Sequence, residues 1–126
     1  MKPTDRIKQL STLVDLHERE LDRLSADMAQ RQAVQQRYRR NLERMSALYD
    51  SAGASGASSA TLSAALSINL ANYKQSVLQM AESHRRDLAL HEADMALAQQ
   101  SLTAAARRRE VMGQVLERQH EEFGRQ

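Results

Sequence analysis

The chain has 126 residues, of which 41% are hydrophobic but only 3% aromatic, and 18 basic and 16 acidic residues leave a net charge of +2. The length fits one domain, and the scarcity of aromatic side chains argues against a globular core, which depends on them for buried area. The small charge surplus gives no uniform positive field for nucleic acid or membrane. The sequence has no cysteine for disulfide or thiol chemistry. It shows no apolar segment of the kind that a secretory signal or a membrane span needs, so we expect a soluble, cytoplasmic helical protein.

Apolar side chains in the first half recur at alternating intervals of three and four residues. The series is Ile7, Leu10, Val14, Leu21, Leu24, Met28, Tyr38, Leu42, Met45 and Tyr49. The positions that it skips hold His17, Arg31 and Gln35, and the residues that widen it are Leu13, Val34 and Leu48. This is the a/d heptad pattern of a left-handed coiled coil, and we call these a and d positions the seam. With Thr4 and Asp5 as an N-terminal cap, the pattern predicts a first helix over about residues 4–50.

Glycine and serine are concentrated directly after this series, in residues 51–59. Gly53 can adopt the left-handed conformation that ends a helix. Ser58, Ser59 or Thr61 can cap the next helix. Because neither flank could form a domain alone, we interpret the segment as a hairpin loop.

A second heptad series follows and predicts a helix over about residues 60–122. Its members are Leu66, Leu70, Tyr73, Val77, Met80, His84, Leu88, His91, Met95, Ala98, Leu102, Ala105, Arg109, Met112, Leu116, Gln119 and Phe123. The two intervals flanking His84 are both of four residues, a stutter that locally unwinds a supercoil. A turn centred near Ser55 would pair residues 5–50 with 60–105 and leave roughly the last 20 residues, about 30 Å of helix, without a partner. The predicted fold is all-α: one domain over residues 1–126, a long antiparallel two-helix coiled coil (α-hairpin) with a longer second helix.

The histidines and carboxylates do not form a convincing catalytic or metal site. The predicted pairing would bring His17 near His91, Glu92 and Asp94, but a metal site needs at least three converging ligands and supporting hydrogen bonds. We interpret these histidines as half-exposed seam residues. The sequence contains no zinc-protease, phosphate-loop or nucleophile-elbow motif. Two exposed helices also provide no enclosed pocket, so we predict no enzymatic activity, no cofactor and no metal.

Arginine is clustered in two places. The first cluster is Arg31, Arg37, Arg39, Arg40 and Arg44, offset only by Glu43. The first cluster is compatible with a protein partner that has an acidic surface, and equally with an ordinary solvated helix face. Nucleic acid would require more surplus charge and aromatic residues for base stacking.

The second cluster, residues 107–109, opens the stretch predicted to lack a partner helix. Apolar residues exposed in line there would mark a contact site.

Three short motifs resemble a known family. They are YRRNL at Tyr38–Leu42, Asn69 followed four residues later by Tyr73, and HRRDL at His84–Leu88. Together with the hairpin layout, they make nearly the whole chain resemble the flagellar FliJ family of type III export stalk proteins, whose injectisome relatives are the YscO-like proteins. The chain departs from the family in a longer hairpin rich in Ala and Ser, and in Tyr73 where Phe is usual.

The resemblance implies a non-enzymatic cytoplasmic stalk, peripherally associated with the inner-membrane export apparatus of a flagellum or injectisome. Such a stalk resembles the coiled-coil part of a rotary ATPase γ subunit. It binds in the centre of the hexameric export ATPase ring and to the cytoplasmic domain of the export gate, and some members handle export chaperones. Carried over by position, the gate-binding residues are Tyr73, Val77, Met80 and His84, and the partner surface of the first helix is Tyr38 and Leu42. The residues expected to bind the ATPase, at the end where the termini lie, are Leu13, Arg107, Arg108, Arg109, Met112, Leu116 and Phe123.

Two alternatives to this function remain open from the sequence. One is a general coiled-coil adaptor or export chaperone that carries subunits and never enters a ring. The other is a basic helical hairpin associated with nucleic acid, although we expect no nucleic-acid partner.

Overall fold

Two α-helices make up almost all of the described chain. The computed structural model describes residues 2–58 and 63–125. Helix α1 spans Pro3–Ser58 and helix α2 spans Ala64–Arg125, with lengths of 56 and 62 residues. No strand occurs in these two ranges. The predicted all-α hairpin with a longer second helix is confirmed.

Both helices begin at residues suited to that position. Pro3 opens α1, where a residue without a backbone N–H costs nothing, and the N–H groups of Asp5 and Arg6 donate to the Lys2 carbonyl. Ser63 caps α2, because its Oγ accepts a hydrogen bond of 3.2 Å from the backbone N–H of Leu66. The predicted caps differ: Thr4 lies inside α1 and Ser58 is its last residue, while residues 59 and 61 lie outside the described ranges.

Helix α1 continues past its predicted end, so the predicted loop over residues 51–59 is wrong for residues 51–58. This segment holds no proline and alternates alanine, the best helix former, with glycines that each cost about 1 kcal/mol. The start of the segment lies against α2, since Ala52 and Gly53 are half-buried. The Lys74 Nζ lies 4.8 Å from the centroid of the Tyr49 ring, and a Cβ on Gly53 would come within 3.0 Å of the same Nζ. Residue 59 and the predicted helix start at residue 60 lie outside the described ranges.

The helices pair in two units, which we call unit 1 (Met1–Arg31 with Asp94–Gln126) and unit 2 (Gln32–Ala93). In unit 1, Arg108 lies 3.3 Å from Glu20 and Arg109 lies 3.8 Å from Glu18. In unit 2, Gln35 Nε2 donates to Glu92 Oε2 at 3.2 Å. Within each unit the paired residues are placed almost symmetrically in sequence about Ala64, so the helices run antiparallel.

This pairing corrects the predicted register. The pairing was expected to be centred near Ser55, whereas the observed pairs are centred close to Ala64. The C-terminal stretch predicted to project alone therefore has a partner in α1. Met112 shares a surface hollow with His17, and Leu116 shares another with Val14. The error arose because α1 was ended too early.

The seam predicted for α1 is confirmed. Every predicted seam position from Ile7 to Tyr49 is buried or half-buried, including the polar residues His17, Arg31 and Gln35. Of the residues expected to widen the seam, Val34 is half-buried, but Leu13 and Leu48 are exposed.

The seam of α2 differs from the prediction near its beginning and at its end, where the predicted seam residues Leu66 and Phe123 are exposed. The observed seam residues are Leu70, Lys74, Val77, Ala81, His84, Leu88, His91, Met95, Ala98, Leu102, Ala105, Arg109, Met112, Leu116 and Gln119. Their intervals alternate regularly between four and three, so the predicted stutter at His84 is absent from this stretch. Lys74 and Ala81 take the positions predicted for Tyr73 and Met80. Lysine can occupy a seam because its apolar stem packs while its ammonium group reaches out, here over the Tyr49 ring.

Candidate partner-binding surfaces

An exposed apolar surface lies in unit 2. Tyr73 is 44% exposed and Met80 is 55% exposed. Each directly precedes a seam residue that the next seam residue follows three positions later. Leu48 holds the equivalent position in α1 and is also exposed. Such positions face one another along one edge of an antiparallel pair, as the contact between Glu20 and Arg108 shows in unit 1. We call Leu48, Tyr73 and Met80 the apolar edge. Exposed apolar side chains grouped in this way typically mark a contact surface.

The four residues predicted to bind the gate therefore separate into two pairs. Tyr73 and Met80 are on the apolar edge, whereas Val77 is only 7% exposed and His84 is half-buried in the seam. The sequence did not single out Leu48 for this surface, because apolar character alone could not tell an edge residue from one that widens the seam.

The two residues predicted for the first-helix surface lie in the seam of unit 2. Leu42 is half-buried. Tyr38 is half-buried between two histidines, with its ring centroid 5.8 Å from that of His84 and 5.9 Å from that of His91. The contact with His84 is edge-to-face, at an interplanar angle of 72°, a favourable arrangement for aromatic rings. Tyr38 thus fixes the position of His84 from within the hairpin.

In unit 1, the residues predicted to bind the ATPase also differ in exposure. Those that are exposed are Leu13, Arg107, Arg108 and Phe123, and those that are half-buried are Arg109, Met112 and Leu116. Arg108 donates a hydrogen bond of 3.3 Å to Glu20. Seam residue Arg109 directs its guanidinium toward Glu18, 3.8 Å away. Both ion pairs are accessible to solvent, although Arg109 is half-buried, and each contributes at most about 1 kcal/mol.

A surface hollow of about 320 Å³ lies among these residues in unit 1. Its lining consists of His17, Arg107, Arg108, Val111 and Met112, and we call it the basic hollow. Val111 is 56% exposed and was missed in the sequence because it lies off the seam. The lining is almost entirely apolar, so the two arginines contribute the carbon stems of their side chains to it. Interfaces are commonly anchored by apolar and arginine side chains.

A second hollow of about 510 Å³ in unit 1 is lined in part by Val14, Arg109, Gly113 and Leu116. A Cβ on Gly113 would lie 2.6 Å from Arg109 Nη1. Because glycine has no side chain, the Arg109 guanidinium can lie close to the backbone at Gly113 while its Nε approaches Glu18. Gly113 lies inside α2, so it permits a close approach of a side chain and does not form a turn.

Charged side chains near the seam are paired locally. Arg31 Nε donates to Asp27 Oδ2 at 2.9 Å, and this hydrogen bond, followed by the charge of Asp27, raises the pKa of Arg31. His17 contributes to the basic hollow in unit 1, and His91 contacts Tyr38 in unit 2. The predicted proximity of these two histidines assumed a turn near Ser55, which the observed pairing of the helices contradicts.

Neither buried polar atoms without partners nor metal-binding clusters occur in the described parts of the chain. Every buried side-chain nitrogen or oxygen within residues 2–58 and 63–125 has a hydrogen-bond partner. The same residues contain no group of three histidine, aspartate or glutamate side chains placed to hold a metal ion. Among the described helices, none is both long and apolar enough to traverse a lipid bilayer.

Comparison with known protein families matches residues 6–126 to the family described as "Flagellar FliJ protein". No curated protein and no solved structure matches the chain. The family match covers essentially the whole hairpin, including the apolar edge and the basic hollow. The chain therefore belongs to the flagellar FliJ family, which consists of non-enzymatic stalk proteins of flagellar type III protein export.

Proposed function

We propose that this chain is the coupling stalk of a flagellar export apparatus and works at the cytoplasmic face of the inner membrane. In this role it binds the hexameric export ATPase through unit 1 and the cytoplasmic domain of the export gate through unit 2. It transmits the effect of ATP hydrolysis to the gate and catalyses no reaction itself. The observation that supports this role best is the exposure of Tyr73 and Met80. The seam does not need these two side chains, because Lys74 and Ala81 occupy its positions.

The apolar edge is the gate-binding surface in this proposal. Burying a side chain such as that of Met80 contributes about 1.5–3 kcal/mol, and aromatic residues such as Tyr73 are frequent anchors of interfaces. Val77 and His84 act from the seam, by holding the backbone and edge in place. Tyr38 and Leu42 contribute in the same indirect way, through the contact of Tyr38 with His84.

The basic hollow is the centre of the ATPase-binding surface. Arg107 supplies charge, because the guanidinium of Arg108 is already paired with Glu20, and Val111 supplies exposed apolar area. Leu13 and Phe123 add further exposed apolar side chains in the same unit. The half-buried residues Arg109, Met112 and Leu116 keep the helices paired beneath this surface.

Separate binding measurements with the purified ATPase and the soluble domain of the gate test the proposal. The gate variant is Tyr73→Ser with Met80→Ser, and its matched control is Leu78→Ser. Leu78 is an exposed leucine of unit 2 that follows seam residue Val77 and so lies on the other side of the seam from the apolar edge. We expect the double variant to lose gate binding and keep ATPase binding, while the control keeps both.

The ATPase variant is Arg107→Glu with Val111→Ser, matched by Arg118→Glu, which changes another exposed arginine of unit 1. We expect loss of ATPase binding and stimulation with gate binding retained, and normal binding for the control. Undiminished binding of both partners by both double variants would refute these surfaces. Binding of export chaperones in the absence of ATPase and gate binding would instead support the adaptor or chaperone function.

A further inference from the structure

The first arginine cluster separates into paired and unpaired members. Arg31 hydrogen-bonds to Asp27, and Arg39 Nη2 lies 3.7 Å from Glu92 Oε2. The remaining members, Arg37, Arg40 and Arg44, have no ion-pair partner among the residues that the structure describes. The one contact of these three side chains that the structure defines is a hydrogen bond of 3.4 Å from Arg40 Nε to the backbone carbonyl of Gln36. We call these three residues the arginine stripe.

The arginine stripe forms a single row on the solvent face of α1 in unit 2. Its members are exposed and follow one another at intervals of three and four residues, so they lie on one face and span about 10 Å along the helix. Ala33 and Ala47 continue the row at either end. These small side chains leave the guanidinium groups accessible from both directions.

The charges in the stripe are uncompensated along the helix. Neighbours on a helix surface are three or four residues apart, and at those distances Arg37 and Arg44 have no carboxylate, while Arg40 has only Glu43. Like charges at such intervals destabilise a helix by about 0.2–0.5 kcal/mol per pair. Two exposed arginines of the same helix in unit 1, Arg19 and Arg23, differ in this respect, since each has carboxylates at both neighbouring intervals.

We propose that the arginine stripe docks an acidic helix of a partner protein, one that presents carboxylates at matching intervals of three and four residues along one face. Guanidinium groups bind carboxylates through paired hydrogen bonds of fixed geometry, and a second helix reproduces the spacing of the row. The stripe shares no residue with the apolar edge or the basic hollow, and its nearest approach to the edge is Arg44, one turn before Leu48. Charge and spacing alone carry the inference, so it is independent of the proposed binding of ATPase and gate.

The composition of the row favours a protein helix over other anions. Single-stranded nucleic acid is bound with aromatic side chains on which bases stack, and the row from Ala33 to Ala47 contains none. Helices that lie on membranes insert apolar side chains between lipids, and the row offers only alanine. Its charge and spacing are therefore its recognition features.

The experiment measures binding of the full chain to two helical peptides at low ionic strength by fluorescence anisotropy. One peptide carries three glutamates on one face at intervals of three and four residues, and the other has the same composition with the glutamates distributed around the helix. The variant is Arg37→Gln with Arg40→Gln and Arg44→Gln, and the matched control is Arg19→Gln with Arg23→Gln. Glutamine preserves helix propensity, and circular dichroism verifies that both variants fold.

We expect the full chain to bind the one-faced peptide about tenfold more tightly than the other, the effect of three exposed ion pairs acting together. The triple variant should lose this preference, and the control should keep it. Added salt should weaken it, because surface charges are screened. Equal binding of the two peptides, or equal loss in both variants, would overturn the proposal. It would also be overturned if the stripe were required for binding anionic vesicles or a DNA duplex but not for binding the one-faced peptide.

Discussion

Replacing Ala81 with aspartate should destabilise the hairpin far more than placing aspartate at the adjacent residue Met80. Ala81 is 6% exposed and belongs to the observed seam, whereas Met80 lies on the apolar edge. A carboxylate forced into an apolar contact without a partner costs about 2–4 kcal/mol. Arg85, one turn further along α2, can approach the new carboxylate, so we expect the lower half of that range. At Met80 the side chain would remain in water, and the change should stay within about 0.5 kcal/mol.

Thermal unfolding followed by circular dichroism distinguishes these outcomes. For a chain of this size 1 kcal/mol corresponds to about 3–5 °C in melting temperature, so Ala81→Asp should lower the midpoint by about 10 °C. Ala89→Asp is the control, because Ala89 is an exposed alanine of the same helix and reports the cost of aspartate in a helix, below about 1 kcal/mol. If Met80→Asp is the more destabilising change, the seam contains Met80 and the observed register of α2 is wrong.

Three further changes test other parts of the hairpin. Truncation after Ala106 should reduce helicity and lower the melting temperature in circular dichroism, because it removes the residues that face the start of α1; an unchanged melting curve would contradict the pairing. Gly113→Ala should be neutral or stabilise the protein by up to about 1 kcal/mol in urea unfolding, since helix propensity gained offsets the displaced Arg109 guanidinium; a loss above 1 kcal/mol would show that this contact matters more. Lys74→Ala should cost about 0.5–1 kcal/mol in the same assay through the lost cation–π contact with Tyr49, and an unaltered denaturation midpoint would argue against that contact.

The seam of α1 could be predicted from the sequence because spacing alone determines it. His17, Arg31 and Gln35 are polar, yet the intervals around them place them in the seam, and the structure agrees. In α2 the apolar series instead selected Met80 over Ala81 because methionine is larger and more hydrophobic. Regular spacing continued through Ala81, and the apparent stutter came from choosing side chains by hydrophobicity.

The position of the turn could not be read from glycine and serine content. Gly53 was expected to end α1, but α1 continues through it to Ser58, and Gly53 lies close to Lys74 of the other helix. Local sequence does not show where the partner helix lies. The position of the turn sets the register of every residue pair between the two helices. Exposure at the candidate surfaces was unpredictable for the same reason, because it depends on which side chains the partner helix covers.

The division into units also has a consequence for folding order. Unit 2 is continuous in sequence, whereas unit 1 joins the two ends of the chain. Contacts between residues close in sequence form faster because they close smaller loops, so unit 2 should form first and unit 1 should be the last to close. Backbone amides of unit 1 should then show the lower protection in hydrogen exchange, as expected for structure that opens locally. A partner that binds unit 1 would raise protection there selectively and so act on the least stable part of the hairpin.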